Sequence, residues 1–318
     1  MSNRDLTIVM PTYQGYHWLV DTLPAIRNQE YDGEVHILAV DSSSNDGTPE
    51  LLKQYDSEVI TILQEDFSHG YARNLGVQNA KTEYIVFMSQ DALPVGTDWL
   101  KNLVAILDDE KIGAAHIQQK PRPNATPLES YFHETMYPDK SKRFTWVEGK
   151  PVTLDSLFFS NVCSVTRRSL CLRFPFPENI IMSEDQAFAK NLLQAGYDTY
   201  YSGDVAIIHS HHYDLKALFR RHFDSAYSLL DITEDSFSST AKAGIEYITG
   251  EAWYLFKNRN WGWLMYMPIY ELTRIAARLL GARADQLPRR WVLKMSLHRK
   301  FWARRDALAN VGGSALAQ

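Results

Sequence analysis

The chain has 318 residues, 45% hydrophobic and 22% charged, which suits one large globular domain or one domain with an appendage. Its longest apolar run, around Trp261 to Tyr270, falls short of the ~20 residues that span a bilayer, and Met1-Ser2-Asn3-Arg4-Asp5 leads into a strand without signal-peptide character. The net charge of −5 conceals a division: residues 1–250 carry 21 Lys and Arg against 34 Asp and Glu, while residues 251–318 carry 12 against 4. An acidic body with a basic, Trp-rich end suggests a second surface with its own partner, nucleic acid not being expected.

Residues 6–10 form an apolar strand closed by Pro11, and residues 18–28 have helical periodicity with Leu19, Leu23 and Ile26 on one side. Residues 35–40 make a second strand ending in Asp41. Asp46-Gly47, with Pro49 in the first turn, opens a helix over residues 48–55. A strand over 59–63, a helix over 71–80, a strand over 84–88, a helix near 98–107 and a strand over 112–117 follow. This alternation predicts βαβ units, and continuous apolar runs predict strands covered on both faces. Residues 120–151, with Pro121, Pro123, Pro127 and Pro138, read as a long irregular loop. Strand character returns over 157–165, a helix runs from Ser183 through Leu193, and a last strand over 199–208 meets His209-Ser210-His211-His212. Beyond Asp214 the pattern is helical. The two cysteines, Cys163 and Cys171, lack metal-ligand spacing and are expected to be buried thiols in a reducing cytoplasm.

Three features can carry chemistry. The strand Tyr84-Ile85-Val86-Phe87-Met88 runs into Ser89-Gln90-Asp91-Ala92-Leu93-Pro94, where Pro94 is expected to stop the pairing. Ligands bind at such strand ends in open α/β sheets, and an Asp there can hold a divalent metal against phosphate, although Asp also simply caps turns. Ser183-Glu184-Asp185-Gln186 puts two acids in the first turn of a helix, which is also ordinary capping chemistry. Three histidines within four positions after the last strand can join a carboxylate on a metal. The ends at Pro11-Thr12-Tyr13, Asp41-Ser42-Ser43 and Gln90-Asp91 gather polar groups on one sheet edge.

Taken in order, Ile8-Val9-Met10-Pro11-Thr12-Tyr13, Asp41-Ser42-Ser43-Ser44-Asn45-Asp46-Gly47-Thr48, Gly70-Tyr71-Ala72-Arg73-Asn74-Leu75-Gly76, Gln90-Asp91-Ala92 and Glu184-Asp185 resemble the GT-A-fold inverting glycosyltransferases of family 2. The resemblance covers roughly residues 5–225. It implies a Rossmann-like, nucleotide-binding mixed sheet flanked by helices, with a helical C-terminal region. Pro11 and Tyr13 would line the base pocket, Asp41 and Ser43 would bond base or ribose, and Arg73 would lie near base and diphosphate. Gln90 would sit at the ribose. Asp91 would bind Mg²⁺ or Mn²⁺ on the diphosphate, with His209 as a further ligand and His211 as second choice. Asp185 would be the general base, with Glu184, Phe159, Ser160 and Asn161 near the transferred sugar or acceptor.

Two departures stand out: Ser42 follows Asp41 where a second acid is usual, and Gln90 replaces an acid. With Phe67-Ser68-His69-Gly70 and Ser160-Asn161, these resemble the bacterial rhamnosyltransferase branch. That branch implies dTDP-L-rhamnose as donor and a lipid-linked glycan as acceptor in surface polysaccharide synthesis.

The resulting division is a GT-A domain over 1–225 and a helical, basic region over 226–318. There Trp253, Trp261, Trp263, Trp291 and Trp302 accompany 13 Lys and Arg, and Arg274 and Arg278 lie one turn apart in an amphipathic stretch. Such a helix can lie on an anionic membrane, which would place the chain peripherally at the inner face of the cell membrane; a packed appendage or homo-oligomer contact is the alternative. Gln286-Leu287-Pro288-Arg289-Arg290-Trp291 has the wrong spacing for the Gln-x-x-Arg-Trp of processive synthases. Nucleotidyltransferase and dehydrogenase readings fail because no Gly-rich phosphate loop follows the first strand. A different nucleotide sugar such as a UDP-hexose, or a non-catalytic carbohydrate- or partner-binding protein on the same fold, remain as alternatives.

Overall fold

The computed structural model describes residues 4–235 and 237–306. The chain divides into two compact units: residues 1–178 with 184–211, and residues 179–183 with 212–318. The boundary drawn from sequence at 225 falls inside a helix, Leu215–Leu229.

The first unit holds β1 (Leu6–Thr12), α1 (Tyr16–Arg27), β2 (Val35–Asp41), α2 (Thr48–Gln54), β3 (Ser57–Thr61), α3 (His69–Asn79), β4 (Tyr84–Met88), β5 (Leu93–Pro94), α4 (Trp99–Ala105), β6 (Ile112–Lys120), α5 (Pro127–Met136), β7 (Lys142–Phe144), β8 (Cys163–Arg167), α6 (Arg168–Arg173), α7 (Glu184–Gln194) and β9 (Asp198–Ile208). They build a mixed sheet in the order β3-β2-β1-β4-β8-β6-β9-β5, with β7 also on β9. β1 to β4 pair in parallel, and β8 runs antiparallel between β4 and β6. Strand side chains alternate between two cores. Leu6, Ile8 and Met10 pack with Leu19 and Leu23 of α1, Leu52 of α2 and Trp99 of α4. Val9, Ile85 and Phe87 face the other way, onto Val77 of α3, Leu170 of α6 and Phe188 of α7.

Several boundaries differ from the sequence reading. β1 continues through Pro11, because β1–β4 pairing ends at Val9–Phe87 while β1–β2 pairing continues to Thr12–Asp41. The missing N–H of Pro11 thus falls where one neighbour has already left, and the strand ends splay. Pro94 does not stop pairing: Leu93 and Pro94 pair with Ile208 and Ile207 at the sheet's edge, where proline is tolerated. The stretch 120–151 contains α5 and β7. Its prolines misled, since Pro127 sits in the first turn of α5 behind a capping box of Thr126 and Glu129. Residues 157–162 are turn and coil, so the strand starts later, at Cys163. Ser183 has φ of +67°, outside the extended conformation of a usual N-cap, and α7 starts at Glu184.

The second unit contains α8 (Leu215–Leu229), α9 (Phe237–Lys257), α10 (Trp261–Gly281) and α11 (Arg289–Met295). Its core joins Ile181, Phe223, Ala277, Val292 and Trp302. Trp302, read from sequence as part of an aromatic surface, is fully buried beneath the guanidinium groups of Arg289 and Arg305. Arg274 likewise points inward, onto Glu271.

Candidate active site

The structure brings Asp91, His209 and His211 together, with one ligand atom from each lying within 4.8 Å of the others. Asp91 follows β4; both histidines follow β9. The Nε2 atoms of His209 and His211 lie 3.5 and 3.3 Å from Asp91 Oδ2. Ligands at right angles on an ion at ~2.1 Å are roughly 3 Å apart, so both His–Asp91 separations lie within about 0.5 Å of what a divalent cation requires. Burial alone would raise the Asp91 carboxyl, but the hydrogen bond and charge of His209, then His211, outweigh it and hold it at about 2. One carboxylate with two imidazoles fits Mn²⁺ better than Mg²⁺, which prefers oxygen ligands.

Behind His209 stands Gln119, a buried residue of β6 that the sequence reading missed. Its Nε2 donates to Ser160 Oγ at 3.0 Å, so Oε1 is what His209 Nδ1 meets at 2.9 Å. Nδ1 therefore carries the proton and Nε2 keeps its lone pair for a cation. Gln119→Leu is expected to lower Mn²⁺ affinity 10–100-fold, as loss of such an orienting partner generally does. Gln119→Glu, which still accepts, should retain most of it. Titration of Mn²⁺ followed by its electron paramagnetic resonance signal decides this; a folded Leu variant with unchanged affinity would sink the role.

Asp185 sits on the same hydrogen-bonded framework. Its carboxylate accepts the backbone N–H of Asn161 at 3.2 Å and of Gln186 at 2.9 Å, and Asn161 adjoins Ser160. Burial, then the charge of Glu184, push its carboxyl up to about 7, against the opposing Arg73. The Gly70–Asn74 motif holds this helix start in place. Ser68 caps α3 by accepting Tyr71 N–H, and a Cβ on Gly70 would come 2.2 Å from the Pro177 carbonyl, so only glycine permits that approach. Asn74 Nδ2 donates to the Phe176 carbonyl and to Glu178 Oε1, and its Oδ1 accepts Phe176 N–H. Arg73 forms a buried ion pair with Glu184. Arg73 and Glu184 are thus committed to each other, holding the first turn of α7.

On the β1 side, the Tyr13 ring is exposed while Asp41 is fully buried. Asp41 accepts from Thr12 Oγ1, Ser44 Oγ and Ser44 N–H, and Ser43 (φ +58°) donates to the Ile62 carbonyl. These two shape the loop after β2. Gln90 Oε1 accepts Tyr13 N–H at 2.9 Å and its Nε2 donates to the Tyr13 carbonyl at 3.0 Å. An acid could accept the first bond but not donate the second. Gln90 therefore fastens the backbone of Tyr13 across the splayed ends of β1 and β4. Phe159 faces the core beside His116 and Phe188, and offers no surface to a sugar. Asn161 is also buried, with its Oδ1 accepting from Ser164.

Arg122, just past β6, is a second residue missed by sequence reading. Its Nη2 donates to the Asp91 carbonyl at 2.5 Å, its N–H to Ser210 Oγ at 3.0 Å, and its guanidinium lies 4.1 Å from the Trp18 ring centroid. It thereby ties the Asp91 turn to the histidine segment.

The sequence matches glycosyl transferase family 2 over residues 7–172. It is 28% identical over 304 residues to the O-antigen chain rhamnosyltransferase RfbN of Salmonella typhimurium, covering 93% of this chain and 96% of that one. To the O-antigen chain rhamnosyltransferase WbaN of Salmonella anatum it is 25% identical over 301 residues, with 93% and 95% covered. Among solved structures, mannosyltransferase PcManGT from Pyrobaculum calidifontis, in complex with GDP-Man and Mn²⁺, matches with a TM-score of 0.57 at 21% identity, over 99% of this chain and 80% of that one. Residues 1–349 of S. aureus TarS in complex with UDP match with a TM-score of 0.53 at 14% identity, over 89% and 91%. These two structures establish the fold, a GT-A sheet with helices at the C-terminus.

Proposed function

The chain belongs to glycosyl transferase family 2, and from that footing we propose that it moves L-rhamnose, with inversion, from dTDP-L-rhamnose to a hydroxyl of a lipid-linked glycan during surface polysaccharide synthesis. The near full-length similarity to two O-antigen rhamnosyltransferases supports the sugar and the pathway class. The observation that carries the chemistry is the pairing of an ionised Asp91 flanked by His209 and His211 with an acid of raised affinity for protons, joined through Gln119 and Ser160.

Asp185 takes the acceptor hydroxyl's proton as that oxygen bonds to the anomeric carbon, and the bond from that carbon to the diphosphate breaks. A carboxyl near 7 is matched to this task at neutral pH. Asp91, His209 and His211 would hold the cation, which supplies charge neutralisation to the departing diphosphate. Tyr13, its backbone fastened by Gln90, presents its exposed ring to the base, with Pro11 beside it. The enzyme works at the inner face of the cell membrane, where its acceptor is anchored.

A thermal-shift panel of dTDP-rhamnose, UDP-hexoses and GDP-mannose, each with and without Mn²⁺, tests the donor. A ligand at a hundred times its dissociation constant adds about 2.7 kcal/mol of stability, so the true donor stands out. dTDP-rhamnose with Mn²⁺ is expected to give the largest shift. A larger shift with a UDP-hexose would reassign the donor, and no shift with any of them would remove the catalytic reading.

A further inference from the structure

A helix of a globular protein normally turns its apolar stripe to the core and its charges to water. α10 instead turns a long apolar stripe outward, with Met267, Glu271, Ala277 and Gly281 on its buried side. Trp261, Met265, Ile269, Leu272, Ile275 and Leu279, spaced three or four residues apart, are 42–83% exposed. The stripe runs about 27 Å along the helix. The buried side carries Glu271, whose carboxylate pairs with Arg274 at 2.7 Å, and the Arg274 guanidinium lies 4.8 Å from the Tyr247 ring centroid. Glu251 of α9, fully buried, completes this polar interior beside Tyr247. The helix cannot simply roll over, because a Cβ on Gly281 would meet the Phe223 carbonyl at 2.2 Å, so α10 lies flush on α8 along this side.

The stripe continues at the turn into α9, where Trp253 stacks on Phe256 and Phe256 meets Trp261 edge-on, with all three rings about half exposed or more. An outward apolar face of this length marks a binding surface. Charge selects its occupant. Residues 251–318 contain four acids, and all are used internally: Glu251 and Glu271 are buried, Asp285 pairs with Arg305 at 2.6 Å, and Asp306 pairs with Arg289 at 2.7 Å. The exposed basic residues include Lys257 and Arg259, beside the aromatic turn, and Arg290, Lys294 and Arg299. A second copy joined through this same face would set like charge against like. Anionic headgroups over acyl chains match both the charge and the apolar stripe. Among the described residues no helix is long and apolar enough to cross a membrane, so the face would lie on the bilayer.

We propose that the outward face of α10, with the Trp253–Phe256–Trp261 turn, is a docking surface for an anionic bilayer, seated at the boundary of headgroups and acyl chains. This deepens the membrane location given above and assigns it to one face. The test is co-sedimentation of the full chain with vesicles of phosphatidylcholine alone and of phosphatidylcholine containing phosphatidylglycerol, with neither donor nor acceptor present. The wild type is expected to sediment with the anionic vesicles, and Met265→Glu/Leu272→Glu to lose at least tenfold in partitioning. Because both positions face solvent, the variant should keep its melting temperature and its response to the donor panel. Lys257→Gln/Arg259→Gln should bind more weakly and with less dependence on salt. Failure of the wild type to sediment, or equal binding of the Glu variant, overturns the proposal. So does a lipid-free dimer that the Glu variant converts to monomer without altering vesicle binding. None of these results bears on donor choice, which the nucleotide-sugar panel decides separately.

Discussion

Asp185→Asn is expected to lower the rate of sugar transfer by about 10²–10⁴ while leaving donor affinity in Mn²⁺ nearly unchanged. Asn161 and Gln186 donate to different oxygens of the carboxylate, so the amide keeps one of these acceptors, loses the other, and cannot take up a proton. Burial and the Glu184 charge hold the native carboxyl at about 7, so below that pH it is protonated and unable to act as base. The wild-type rate should therefore rise with pH through about 7 and level off above, and the variant should lack this limb. Stability should move the opposite way. A carboxyl raised above its unfolded value binds more protons in the folded state, so ionising it at higher pH weakens the fold. The Asn variant, which does not ionise, should lack this loss of stability as pH rises through about 7. Turnover within tenfold of wild type would show that the base is elsewhere.

Asp91→Ala should abolish the Mn²⁺ dependence of donor binding, with Mn²⁺ affinity falling by more than the roughly 10–100-fold expected for an orienting partner alone. Asp91 is the shared member of the cluster, since both imidazoles approach the same carboxylate oxygen. Its loss leaves His209 still bonded to Gln119, so the histidine segment should stay ordered and the comparison clean. His211→Ala should cost less, because the buried pair of Asp91 and His209 remains. Calorimetric titration of nucleotide sugar with and without Mn²⁺ measures both variants. Metal-dependent affinity that survives in Asp91→Ala would place the cation elsewhere.

Asp91 and His209 were legible because a polar residue ending an apolar strand is a local pattern, readable without the fold. Asp185 was weaker in sequence, since two acids in a first helical turn are also ordinary capping. Gln119 and Arg122 were missed for a different reason. Gln119 lies at the polar end of a strand and Arg122 between two prolines, and what they do depends on partners as far away as position 209 and position 18. Gln90 looked like a lost acid, yet its use of both amide atoms on one backbone residue is invisible until β1 and β4 are side by side. The periodicity of α10 was legible; its direction was not. A helical repeat says that one side is apolar, but only packing says which side is inward, and here Arg274 lies inside against Glu271.

The grip of α3 on the start of α7 carries a consequence for how this enzyme fails. Asn74 reaches Phe176 across 102 residues, and Arg73 reaches Glu184 across 111. Contacts that close such long loops form late in folding, since chain entropy must be overcome before they contribute. β1, β2 and β3, by contrast, pair across only 20 to 29 residues. Warming or mild denaturant should thus release the 176–185 region while the nucleotide half is still intact. Inactivation would precede global melting, and the damaged enzyme would still hold its donor without transferring the sugar.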